Sequence, residues 1–160
     1  MISNTVDGGT TWSAPVPVSS EPSQVSGDRK NTQGSTVTVD ATGTVRVTFE
    51  TTAFGRDWVA YATSTDGGAT FSTRLLAMIA DIPSPLLGAT YRDDSFPALA
   101  MDGSSLHIVW SNWTGTNARI VYIRLTDGGA TWSTPVTISG STGDHLFPWV
   151  AAANGKVYAT

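Results

Sequence analysis

Cysteine is absent from the 160 residues, so the chain holds neither a disulfide framework nor a thiolate metal site, and cysteine usage leaves the redox compartment open. Charge is sparse, at 14% of residues, and the nine Lys and Arg against thirteen Asp and Glu give a net −4. The basic residues are scattered, so no patch is formed to meet a phosphate backbone, and nucleic acid is not an expected partner. Only His107 and His145 carry imidazoles, and they lack metal-ligand spacing. No apolar run approaches the roughly 18 residues that cross a bilayer, and Met1 to Val6 carry no signal-peptide pattern. The chain reads as soluble, with no membrane partner.

What fills the sequence instead is Thr, Ser and Gly around a 40% hydrophobic fraction, a composition of turns and half-exposed strands. An all-β fold is expected. A string also repeats: Thr5-Val6-Asp7-Gly8-Gly9-Thr10-Thr11-Trp12, Ser64-Thr65-Asp66-Gly67-Gly68-Ala69-Thr70-Phe71 and Leu125-Thr126-Asp127-Gly128-Gly129-Ala130-Thr131-Trp132. The central aspartates stand 59 and 61 residues apart. Each string reads as a hairpin turn in which Asp accepts backbone N–H bonds and the glycines take conformations closed to other residues. The aromatic residue that follows is free to pack beneath the turn, so Asp7, Trp12, Asp66, Phe71, Asp127 and Trp132 are read as structural.

Between these turns lie paired alternating runs. Val37, Val39, Val45, Val47 and Phe49 flank Asp40-Ala41-Thr42-Gly43, and Leu99, Met101, Leu106, Ile108 and Trp110 flank Asp102-Gly103. Val150, Ala152 and Val157 begin the pattern again around Asn154-Gly155. With a further strand from Trp58 to Thr65 and another from Arg119 to Thr126, each unit has four antiparallel strands, the repeated turn joining the third to the fourth. Along a single segment spanning 1–160, this gives a partial unit at about 1–18, full units at about 34–78 and 96–138, and a partial unit at about 147–160. A period near 60 with four meandering strands is the pattern of propeller blades, whose rings have about 4–8 blades. The chain is expected to be an open or partial propeller, either a piece of a larger ring or a half-ring that self-associates through its open edges.

The repeated strings resemble the Asp-box, or BNR, repeats of the sialidase superfamily. The resemblance implies a β-propeller, a carbohydrate-active protein of exo-glycosidase type, a glycan or sialoside-like ligand and a secreted or extracellular setting. No cofactor is required by it. If the chain is enzymatic, the implied class is glycoside hydrolase; Asp-box propellers also include noncatalytic glycan- or protein-binding modules. Sialidases hold the substrate carboxylate with arginines, the first commonly in a Phe/Tyr-Arg-Ile-Pro motif. Here Tyr91-Arg92-Asp93-Asp94 has Asp-Asp in place of Ile-Pro, so that role does not carry over to Arg92 on the motif. A Tyr-Glu nucleophile pair is not found by spacing.

In a four-stranded meander the repeated turns mark one rim, and function is expected on the opposite rim, where the units differ. Asp93 and Asp94 are the candidate catalytic carboxylates there. Arg29, Arg56, Asp57, Arg92, Trp113, Asp144 and His145 are the candidate binding residues, Arg being suited to a planar carboxylate and Trp to a sugar face. Aligning Phe96-Pro97 with Phe147-Pro148 sets Asp93 on Asp144. A Ca²⁺ site built from Asp93, Asp94 and Asp144 is therefore an alternative, as are plain solvated loop charges.

Overall fold

The computed structural model describes residues 1–19, 32–126 and 131–160, and among these it is all-β, with ten strands and no helix. In chain order the strands are β1 (Thr32–Val39), β2 (Val45–Ala53), β3 (Arg56–Ser64), β4 (Ser72–Ile79), β5 (Ala98–Asp102), β6 (Ser105–Trp113), β7 (Ala118–Leu125), β8 (Val136–Thr137), β9 (Val150–Ala153) and β10 (Lys156–Ala159). They form two four-stranded antiparallel sheets, β1-β2-β3-β4 and β5-β6-β7-β8, and the hairpin β9-β10. None of the three closes on itself.

Alternation sets which residues face which layer. On β2, Val47 and Phe49 point to one face of the first sheet, where Ala60 and Ala62 of β3 join them and Val18 covers them, with Ile2 packed alongside. The opposite phase of β3, Val59 and Tyr61, joins Ala77 and Ile79 of β4 against Leu106, Ile108 and Trp110 of β6 and Ile123 of β7. The far face of the second sheet buries Ala98, Val109 and Ile120 with Val150 of β9. The layers therefore follow chain order: residues 1–19, first sheet, second sheet, hairpin. Strand β1 lies beside β5, and β5 beside β9.

The first two Asp-Gly-Gly strings are turns of one construction. Asp66 accepts Thr70 N at 3.0 Å and Thr70 Oγ1 at 2.6 Å, while Ser64 Oγ donates to Asp66 at 2.7 Å and accepts Gly68 N at 2.8 Å. Asp7 repeats these bonds with Thr11 at 2.9 and 2.7 Å and with Thr5 at 2.8 Å. Each carboxylate is thereby held well below its ordinary range, by Thr11 first for Asp7 and by Thr70 first for Asp66. Asp127 lies outside the described residues. The aromatic partners diverge: Phe71 and Trp132 are half-buried, but Trp12 is 63% exposed. Residues 1–19 form only the single Ile2–Val16 bridge, so Trp12 has no sheet of its own to pack on.

The third strand begins earlier than the apolar pattern indicates. Phe54 and Gly55, at φ 56° and 67°, make a two-residue turn that pairs Ala53 with Arg56. Residues 56 and 57, read from sequence as loop, are thus the start of β3. That brings Asp57 opposite Thr52 at the sheet end away from the Asp66 turn.

Candidate functional site

At that end of the first sheet the strands and the segment 80–97 enclose a cavity of about 700 Å³. Gln33 of β1, Glu50 and Thr52 of β2 and Asp57 of β3 line it from the sheet. Asp81, Ile82, Ser84, Arg92, Asp93 and Asp94 line it from the segment between β4 and β5. The strand register explains the first group: Gln33 pairs with Glu50, and Thr52 with Asp57. Glu50 lies on the phase of β2 opposite Phe49, so the layer order that buries Phe49 on one side carries the Glu50 carboxyl into the junction between the sheets. It is 2% exposed.

One carboxylate oxygen from each of Glu50, Asp81 and Asp94 lies within 4.8 Å of the other two, close enough to hold a metal ion in common. Gln33 Nε2 donates to Glu50 Oε1 at 3.2 Å and reaches Asp94 Oδ2 at 3.5 Å. Arg92 donates to Asp94 Oδ2 at 3.0 Å with its own side chain 74% exposed at the mouth. Thr52 donates to Asp57 at 2.7 Å. Burial, assisted by the carboxylates of Asp94, Asp81 and Asp57 and opposed by the Gln33 bond, pushes the Glu50 carboxyl up to about 7. Burial, with Asp57 and Asp94, pushes Asp81 up as well.

Asp93 is a buried neighbour of different character. It is 2% exposed and accepts Leu86 N at 3.2 Å through Oδ2, while its own N–H donates to Ser84 Oγ at 3.3 Å. Asp93 thus also holds the shape of the 84–93 segment.

Neither protein-family models nor curated proteins match the chain.

Of the residues singled out in the sequence, Asp57, Arg92, Asp93 and Asp94 come together at this cavity. Arg56 is exposed and borders an adjoining cavity of about 520 Å³ with Asp57, Asp81 and Asn112. Trp113, Asp144 and His145 lie apart from the lining. Trp113 packs with Ile82, Leu86, Ala118 and Leu146, and its N–H donates to Ala80 O at 2.7 Å. Asp144 caps the β6–β7 turn, accepting Ala118 N at 2.8 Å and Asn117 Nδ2 at 3.3 Å. The Nε2 atom of His145 sits 3.1 Å from Thr142 O. Arg29 lies outside the described residues.

Asp93, Asp94 and Asp144 therefore do not converge as a cation site. Asp144 is committed to its turn, and Glu50 and Asp81 stand with Asp94 instead. Gln33, Glu50 and Asp81 carry no motif or period in the sequence that singles them out. The signal available was a carboxylate on the second strand of a buried sheet, since an acid is rarely placed there without a partner.

Proposed function

We propose that the chain is a segment of a sialidase-type Asp-box β-propeller and that the acidic cavity is its site for an acidic sugar. The observation that carries this reading is the pairing, in one cavity, of an exposed Arg92 guanidinium with the buried Glu50 carboxyl, which burial pushes up to about 7. Arg92 suits the planar carboxylate of a sialoside-like ligand. Glu50, with Asp57, Asp81 and Asp94 around it, suits the general-acid half of a carboxylate pair whose environments set their protonation apart. Successive four-stranded sheets packed face to face, with β1, β5 and β9 side by side, support the blade arrangement.

The test is turnover of a panel of fluorogenic glycosides, sialosides included, by the protein and its Arg92→Ala and Glu50→Gln variants. Turnover is expected to fall by about 10²-fold or more in Glu50→Gln, the range of a lost general acid. Absence of turnover on every glycoside sinks the hydrolase reading. A second reading, a noncatalytic glycan-binding module stabilised by Ca²⁺, is favoured by the convergence of Glu50, Asp81 and Asp94. It is separated from the first by glycan binding without turnover.

A further inference from the structure

Negative charge outweighs positive charge in the cavity between segment 80–97 and the first sheet. Among the described residues, Glu50, Asp57, Asp81, Asp93 and Asp94 line it, and Arg92 is the one cation of the lining. Arg92 reaches in only as far as Asp94 Oδ2. Acidic clusters are common without any ligand; what distinguishes this one is buried oxygen with no partner. Glu50 gives Oε1 to Gln33 but leaves Oε2 unbonded, and Asp93 gives Oδ2 to Leu86 N but leaves Oδ1 unbonded. Both residues are 2% exposed. Buried acceptors are nearly always paired, and Glu50 Oε2 belongs to a residue whose carboxylate converges with those of Asp81 and Asp94, so it marks the place of a missing positive partner.

We propose that Glu50, Asp81 and Asp94 bind a hard divalent cation of the Ca²⁺ class, held between strand β2 and the two ends of the segment that joins the sheets. The donors are all carboxylate oxygens, which select a hard ion over zinc or copper. Calcium is favoured because it accepts irregular sets of oxygen ligands, carboxylates and waters together, whereas Mg²⁺ demands near-ideal octahedral geometry and gives up its waters reluctantly. The oxygens of the three residues lie within 4.8 Å of one another. Glu50 sits near the end of β2, Asp81 two residues after β4, and Asp94 four residues before β5. An ion there ties the first sheet to both ends of the connection to the second.

This rests on the calcium-stabilised reading of the cavity and deepens it with the ion's selectivity and the tie it makes between the first sheet and the connecting segment, and it fails separately from glycan turnover. A carboxyl that ligates the ion has no proton to donate, so the acid role of Glu50 belongs to the cation-free cavity.

The experiment is calorimetric titration of the EDTA-stripped protein with CaCl₂ and with MgCl₂, beside thermal melts in each salt. Asp81→Asn is the principal variant because Asp81 is exposed and its amide replacement is compatible with folding; Asp144→Asn is the control. Saturable binding of one Ca²⁺ per chain is expected, with a Tm raised by Ca²⁺ and affinity about tenfold or more weaker for Mg²⁺ and for Asp81→Asn. Asp144→Asn should bind as the parent does. No saturable Ca²⁺ binding, equal affinity for the two ions, or undiminished binding by Asp81→Asn would each overturn the proposal.

Discussion

At Asp66 a single exposed carboxylate closes the hairpin between β3 and β4 by accepting both the amide and the hydroxyl of Thr70. Its folded-state pKa is therefore lowered below the ordinary 3.8, chiefly by those bonds. The sign follows: the stabilisation is present above the unfolded value and is lost as pH falls through the folded one. Asp7 and Asp40 are lowered too, Asp40 first by the Thr42 hydroxyl. The protein is accordingly expected to lose Tm below about pH 4, where carboxylates of the unfolded chain take up protons. Asp66→Asn should melt lower than the parent at pH 7 and lose less on going to pH 2. Circular-dichroism melts across that range check this, and parallel curves for the two proteins would show that Asp66 is not an acid-sensitive tie.

At the scale of the element, β1 shows how the cavity wall is held. The strand shifts register between Gln33 and Thr36, and Gly34 within that irregularity has φ +63°. A Cβ built there would meet the Phe96 ring at 2.4 Å. Gly34 thus admits Phe96, just ahead of β5, against β1 and sets the neighbouring Gln33 toward Glu50. Gly34→Ala combines a left-handed conformation with a steric clash, and a loss of roughly 2 kcal/mol or more is expected from denaturant unfolding. A neutral result would mean that the two strands separate freely here. None of this was visible in the sequence, where nothing marks Gly34, ahead of the alternating run at Val37 and Val39, as the partner of Phe96. The strands and the 3–4 turn placement were legible because alternation and turn residues are properties of neighbours in the chain. Glu50 with Asp81, and Gly34 with Phe96, are brought together by packing across 31 and 62 residues, which no local period records. For the same reason Asp144 was mistaken for the counterpart of a cavity residue: its motif neighbours match those of Asp93, but its oxygens are used by Asn117 and Ala118.

For the whole molecule the decisive feature is that the largest apolar cluster belongs to neither sheet alone. Val59, Tyr61, Ala77 and Ile79 come from the first, and Leu106, Ile108, Trp110 and Ile123 from the second. Trp132, which bridges to Leu125 in the second sheet, meets Tyr61 of the first edge-on at 5.2 Å, and the Arg74 guanidinium lies 5.8 Å from the Tyr61 ring and 5.9 Å from that of Trp132. Separating the sheets exposes this cluster on both, so either sheet unfolding first removes much of the burial that stabilises the other. Calorimetry is therefore expected to show one transition, with van't Hoff and calorimetric enthalpies in agreement. Trp110, 1% exposed, lies within the shared layer, and Trp110→Ala should cost about 3–5 kcal/mol and move that one transition down without dividing it. Two separate transitions in the parent, or a variant in which only part of the heat shifts, would show that the sheets hold their structure independently.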